Sequence, residues 1–333
     1  PSFQSSCSFS TRSSVQLIAL SSSCSGPARD LMRAARHAKA RAGPYLGGRG
    51  TLYKTAGVGE MTAKTTGAAR PGPGVRRFGA VNWLGLWTLY AREVRRFAKV
   101  WGQTMLAPLA TAGLFMAVFH FALADRRGDV MGLPFEAFLA PGVAMMAVVQ
   151  NAFANTSSSL LIAKVQGNII DTLMPPLAPG ELLIGYAAGG ATRGIAVGLA
   201  AATPLLLLTG APLAAPLWAA AFLVLAALAL ALAGIIIGLH CQKFDQMATI
   251  TNFVVTPLAF LSGTFYSVAD LPTAFWAVSH VNPVFYLIDG FRYGALGVSD
   301  SPPWLGALVA LASIGGLGRA AYVMFRDGRG LKT

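Results

Sequence analysis

From residue 81 onward the apolar positions follow two successive rhythms. Over 81–101 they recur every three or four places, at Trp83, Trp87, Tyr90, Val94, Phe97 and Trp101, which puts them on one helical face. Arg92, Arg95, Arg96 and Lys99 fall toward the other side. A basic helix with an aromatic face is expected to lie in the headgroup region of a membrane. A soluble partner-binding helix fits less well, because the next apolar run starts only a few residues later. From there the pattern becomes long and almost uncharged. Runs at about 104–124, 138–160, 182–208, 215–239, 247–266 and 304–324 approach or exceed the roughly 20 residues needed to cross a bilayer core. The expectation is an all-α polytopic membrane protein with six transmembrane helices and an N-terminal amphipathic interfacial helix.

The runs differ in ways that matter. The second becomes polar in its latter half, with Gln150, Asn151, Asn155 and Ser157 to Ser159. Such groups need protein or water partners in lipid, so they should face a helix or a pathway. The third carries Gly185, Gly189, Gly190, Gly194 and Gly198, successive GxxxG pairs that let helix backbones approach closely. It also holds Arg193 well inside the span. An intramembrane charge is a functional hypothesis, although snorkelling or pairing is an equal alternative. The fourth run is Ala/Leu-rich, uncharged and reads as structural.

The stretch from Met247 to Gly297 opens as a membrane-length segment and breaks at Leu261-Ser262-Gly263. Pro272, Asn282-Pro283 and Gly290 then interrupt any single helix. Phe275, Trp276, Val284, Phe285 and Tyr286 are too apolar for a solvated loop. Short broken half-helices between the fifth and sixth spans, lying in the interface, meet both demands.

Composition agrees with lipid as solvent: 54% of the 333 residues are hydrophobic and 12% charged, against roughly 25% charged in soluble domains. The net charge of +13 is uneven. Residues 1–75 hold ten Lys/Arg against Asp30 and Glu60, so the high pI gives no case for nucleic acid. That Ser-, Gly-, Ala- and Arg-rich stretch has no sustained apolar period and is expected to be disordered. Its composition suits an organellar transit peptide, which would imply an organellar membrane. A mis-set start is the favoured expectation, with Met61 as a plausible start and 80–333 as the transmembrane domain. Cys7, Cys24 and Cys241 form no metal-ligand spacing or disulfide framework.

Six spans put both ends on one side. Arg92, Arg95, Arg96, Lys99, Lys164, Lys243, Arg326, Arg329 and Lys332 outnumber Arg126, Arg127 and Arg292 on the other. The positive-inside rule then puts both termini in the cytoplasm.

The strings LSGTFYSVADLP and NPVFYLIDGFRYG resemble the C-terminal signature of ABC-2 type permeases, the membrane subunits of a class of ABC exporters. The resemblance spans about residues 80–333, in order and without large gaps. It implies two permease copies, a separate cytoplasmic ABC ATPase subunit that binds ATP and Mg, export rather than import, and a bacterial inner membrane. The chain itself is expected to bind no cofactor. In the resembling permeases the loop between the second and third spans is a coupling helix that docks on the ATPase. Here Ala163–Met174 reads as a short helix stopped by Pro175-Pro176 and Pro179-Gly180. An ordinary polar connection is equally compatible with composition. The docking candidates are Lys164, Gln166, Gly167, Asn168, Asp171, Pro175 and Pro176.

Further candidates are weighed against structural roles. Phe260, Phe265 and Tyr266, with Phe115 and Phe119, are candidates to line a pathway for a hydrophobic or amphipathic substrate, with Arg193 and Gly263 as gate elements, although aromatic residues often serve only as packing. Asp289 and Arg292 are spaced to pair on one helical face, fixing a half-helix rather than catalysing. Gly263 and Gly290 read as backbone breaks. Gly57–Thr65 fails as a phosphate-binding loop, since the required glycines fall on Val58 and Ala63. No metal spacing, Ser/His/Asp set or paired carboxylates appear, so no catalytic residue is expected. An ion-coupled secondary transporter would show inverted repeats and midplane carboxylates. A lipid-modifying membrane enzyme would need clustered acid/base or metal residues. Both are weaker readings.

Overall fold

The computed structural model describes residues 81–123, 129–211, 213–270 and 272–331, all within the unit Val75–Thr333. The 1–75 extension, Met61, the Gly57–Thr65 segment and the loop cations Arg126 and Arg127 lie outside the described residues.

Helix α1, Trp83–Ala98, starts at Asn82, whose side chain accepts the Gly85 amide at 3.0 Å and so satisfies one of the donors a helix start leaves free. After a turn at Lys99-Val100 come α2, Trp101–Leu123, and α3, Phe135–Val165. Gly167, at φ +75°, turns the chain into the five-residue α4, Ile169–Leu173. Prolines then sit at or near the first position of α5, Pro179–Leu208, α6, Pro216–His240, and α11, Pro303–Asp327. Their missing amide costs nothing there. Helices α2, α3, α5, α6 and α11 are the five that are long and apolar enough to cross a membrane.

The fifth expected span, about 247–266, is helical but not one of these five. It is divided into α7, Phe244–Ile250, one π turn, Thr251–Val255, and α8, Thr256–Phe260. Pro257 supplies the cause: it has no amide, and its ring crowds the carbonyl four residues back. The helix widens just before it, and the Thr256 hydroxyl donates to the Thr251 carbonyl at 3.0 Å. A 3₁₀ turn at Val268–Asp270 and two further helices follow, α9, Thr273–Val281, and α10, Pro283–Leu296. Asn282 caps α10 by accepting the Val284 amide at 2.9 Å. Its own amide donates to Leu258 O and Ser262 Oγ, each at 2.8 Å, closing off the end of α8.

Packing follows the small and polar residues. Helix α3 is enclosed by α5 and α6, whereas α2 and α11 face outward over most of their length. A Cβ added at Gly190, Gly194 or Gly198 of α5 would come within 2.4, 2.8 and 2.4 Å of Thr156, Ala152 and Val148 of α3. Gly185 and Gly189 instead receive Leu89 and Glu93 of α1, at 2.6 and 2.5 Å. The glycines of α5 therefore form two stripes with different partners. Gly290 is not a backbone break: it lies inside α10, where a Cβ would strike the Phe222 ring of α6 at 2.3 Å.

The closest backbone approach between two helices tests this packing. At Gly294 of α10 a Cβ would lie 2.2 Å from the Ala219 amide nitrogen of α6. Gly294→Ala should cost about 1–3 kcal/mol through overpacking. Gly315→Ala, where no atom lies within 4 Å, should cost nothing. Thermal unfolding in mild detergent should separate the two by several degrees.

Candidate functional site

At the Val165 end of α3, three elements meet on the buried face of α1. Leu89, Glu93 and Phe97 point inward. Glu93 is 1% exposed and forms ion pairs with Arg96 at 3.2 Å and Arg92 at 3.6 Å. Ser159 of α3 donates to the same carboxylate at 2.9 Å. Arg96 then reaches α3, donating to Asn155 O at 2.7 Å and Asn155 Oδ1 at 2.9 Å. Arg92 reaches two other elements, Thr172 of α4 at 2.8 Å and the Tyr186 hydroxyl of α5 at 3.0 Å. Asn155, Ser158 and Ser159 in the polar half of the second span thus find partners in the charges of α1. Arg92 and Arg96 keep solvent contact but use their guanidinium groups to tie α1 to its neighbours, while Trp83, Trp87 and Trp101 stay exposed. Glu93 and Thr172 were not singled out from the sequence. The signal for Glu93 was its position as the one acid of a basic helix, three residues before Arg96.

The loop between α3 and α5 differs from the expected 163–174 helix. Residues 163–165 complete α3, and only Ile169–Leu173 form a separate turn of helix. Lys164 is a correction. Its side chain is buried and its ammonium donates to Leu239 O at 2.8 Å and Cys241 O at 2.5 Å, capping the end of α6. A cation there satisfies carbonyls that have no intrahelical donor. It presents no charge to a docking partner. The neighbouring Cys241 thiol is buried, and burial pushes its pKa up against the opposing pull of Lys164, which disfavours a reactive thiolate. What the loop does expose is apolar: Val165, Ile170, Leu173 and Met174 lie outward with Gln166, Gly167, Asn168, Asp171, Pro175 and Pro176. Ile169 and Thr172 face inward and anchor it. Across the loop, Glu181 accepts the Asn82 amide at 2.6 Å and the Ala178 amide at 2.8 Å, tying the start of α5 to the start of α1.

Between α2, α3 and α5 lies a cavity of about 690 Å³. Gln103, Gln150, Asn151, Ser158 and Arg193 line it toward the α1 end, and Ala112, Phe115, Val143 and Met146 line its other half. Arg193 donates to Asn151 Oδ1 at 3.2 Å, and its Nε is buried without a hydrogen-bond partner. Phe115 continues into an aromatic cluster, 5.6 Å from Phe265 and 6.5 Å from Phe260 between ring centres, with Phe119 stacked on Phe265 at 5.3 Å. The expected pathway aromatics therefore meet, except Tyr266, which packs with Val268 and Phe285.

At the Phe135 end of α3, Asp289 and Arg292 are brought together 3.6 Å apart, both wholly buried. Arg292 also donates to Gly263 O at 2.5 Å and lies 4.0 Å over the Phe138 ring. Asp289 accepts the amides of Asp300 and Ser301, each at 2.9 Å. Gly263 has φ +69°, so it is a true turn position. The cluster pins the end of the broken helix to α10 and to the entry of α11. Among the described residues no group of three or more His, Cys, Asp or Glu side chains is placed to hold a metal ion.

The Glu93 cluster can be tested as a unit. Glu93→Gln keeps the shape but leaves Arg92 and Arg96 without their carboxylate. A loss of about 1–3 kcal/mol is expected, set at that level because Arg96 keeps some solvent contact. In an Arg96→Gln background the same change should cost at least about 0.5 kcal/mol less. Additive shifts in detergent unfolding midpoints would show that the two side chains are not coupled.

Comparison with known proteins bears on this architecture. The chain is 36% identical over 251 residues to the inner membrane transport permease YadH of Escherichia coli, covering 75% of this chain and 98% of that protein. It is 26% identical over 237 residues to nodulation protein J of Neorhizobium galegae, covering 69% and 88%. Against nodulation protein J of Rhizobium leguminosarum bv. viciae it is 27% identical over 224 residues, covering 66% and 84%. The model of the ABC-2 type transporter family matches residues 85–296, from α1 through the Asp289–Arg292 cluster of α10. With five apolar spanning helices around a polar-cored α3, the chain belongs to the ABC-2 type transporter family of membrane transport permeases.

Proposed function

We propose that this chain is the permease subunit of an ATP-driven exporter that carries a hydrophobic or amphipathic substrate out of the cytoplasm. Two copies work with a separate ABC ATPase, the partner that family membership implies. ATP and Mg are bound by that partner. In this reading the segment Phe244–Phe260 completes a sixth crossing, both termini are cytoplasmic and the membrane is a bacterial inner membrane. The similarity to YadH of Escherichia coli, an inner membrane transport permease, supports the location.

The observation that carries the reading is the α4 loop. Ile170, Leu173 and Met174 stand exposed on a short helix held from behind by Ile169 and by the Arg92–Thr172 hydrogen bond. A solvated connection has no physical need for three outward apolar side chains, whereas an apolar knob suits a groove on a soluble partner. Arg92 joins α4 to α1 and α5, and Ser159 and Asn155 join α1 to α3. A push on α4 therefore reaches two spans and the interfacial helix through charge-assisted hydrogen bonds. Rearrangement of the glycine contacts of α5 and of the π turn in the broken segment would then open a path between subunits.

Docking in this reading rests on Ile170, Leu173 and Met174 rather than on Lys164. The double variant Ile170→Asp/Met174→Asp should insert and fold normally yet lose co-purification of the ATPase by about tenfold or more, since two buried apolar contacts are worth at least about 1.4 kcal/mol. Mass spectrometry of the tagged, detergent-solubilised complex measures this. A well-folded wild-type chain that captures no ATPase would overturn the exporter reading.

A further inference from the structure

We infer that the cavity between α2, α3 and α5 is a binding site for an anionic amphiphile, with Arg193 holding a phosphate-type head group and the Phe115 end taking its hydrocarbon chain. Its assignment as the exporter's cargo site rests on the reading above.

Three observations carry the inference. First, among the described residues no carboxylate forms an ion pair with Arg193, and its one hydrogen bond goes to the neutral Asn151 amide. A guanidinium in the middle of a span is costly unless an anion or water meets it. Its Nε is buried without an acceptor, as are those of Arg96 and Arg292, but those two arginines have carboxylate partners and Arg193 has none among the described residues. Of the other polar groups of α3, Asn155 Oδ1 accepts from Arg96, Ser159 donates to Glu93 and Thr156 donates to Ala231 O at 2.8 Å, while Asn155 Nδ2 is buried without a partner.

Second, the lining is graded. Ser158, Asn151, Gln150 and Gln103 supply hydroxyl and amide donors around Arg193, and no carboxylate lines the cavity. Ser158 also accepts from Arg96 Nη1 at 3.5 Å, so the Glu93-paired guanidinium lies next to this end of the lining. Toward Val143 and Phe115 the wall becomes apolar and runs into the Phe260–Phe265 pair. From Ser158 to Val143 the cavity spans roughly 20 Å along α3, at 1.5 Å per residue. That length takes a head group and an extended acyl chain together. A free inorganic anion would leave the apolar half unused, and a neutral lipid would leave Arg193 unmatched.

Third, the guanidinium presents a planar fork suited to phosphate oxygens. The shared chemistry is a phosphate-bearing amphiphile, whose source is either single-chain cargo or a bilayer lipid.

The full-length chain in neutral detergent supplies the test, by equilibrium binding of fluorescent lysophosphatidic acid and of a monoacylglycerol with the same chain. The phosphate-bearing probe should bind at least about tenfold more tightly, as expected for one charge-assisted contact in a desolvated site. Arg193→Gln should remove that preference and leave the neutral probe unchanged, while Arg193→Lys should retain part of it. If Arg193→Gln fails to fold, Asn151→Asp gives Arg193 an internal counter-ion and should weaken the anionic probe by a similar factor. Equal affinity for the two probes, or an anionic affinity indifferent to both substitutions, would overturn the inference. Because no ATPase enters this assay, such a result would leave the export reading standing. Diacyl phosphatidic acid binding from a nanodisc with the same Arg193 dependence would support the site with a membrane lipid as occupant. Binding of the single-chain probe alone would support it with cargo as occupant.

Discussion

The structure depends on one constraint: within lipid a polar group has no water to turn to, so each must be answered by another part of the chain. Helix α3 shows the consequence. Its amides and hydroxyls force it to the centre of the bundle, and the Glu93–Arg96 pair of α1 answers them at one end. At the other end Arg292 answers the carbonyl of Gly263, which the broken helix leaves free. Asn155 and Phe138, the α3 residues touching the two arginines, lie about 25 Å apart along the helix. The bundle is thus held at both ends by buried charges and between them by glycine contacts.

This arrangement gives the α4 loop a mechanical meaning. A five-residue helix is too short to be stable alone, so its position is set by Ile169, Thr172 and Arg92. Arg92 links α4 to α1 through Thr172 and links α1 to α5 through Tyr186. The apolar contacts of α5 are tight and offer two discrete neighbours, α1 on one stripe and α3 with α6 on the other. Packed interfaces of this kind shift between arrangements rather than deform smoothly.

Much of this was legible in the chain. Five of the spanning runs, the amphipathic helix before them, the GxxxG stripes and the break at Leu261 to Gly263 follow from hydropathy, periodicity and proline chemistry, which are local. The misreadings share another origin. Lys164 reads as an exposed loop cation until α6 ends beside it. Gly290 reads as a break until Phe222 occupies the space its missing Cβ leaves. Arg92 and Arg96 read as headgroup anchors until Thr172, Tyr186 and Asn155 come within reach. In each case the deciding partner lies far away along the chain, 75 residues for Lys164 and 80 for Arg92 with Thr172.

The amino-acid order therefore determined the solvent, the spanning runs and which of them needed partners, because those depend on side-chain transfer between water and lipid and on backbone geometry within a few turns. Only the tertiary structure decided which partner each polar group received. It joined Arg92 and Arg96 to groups on α3, α4 and α5, withdrew Lys164 from the surface and left Arg193 beside a cavity with no carboxylate in its lining. Such outcomes depend on helices meeting across the bundle at hydrogen-bond distance, and spacing along a sequence carries no measure of that distance.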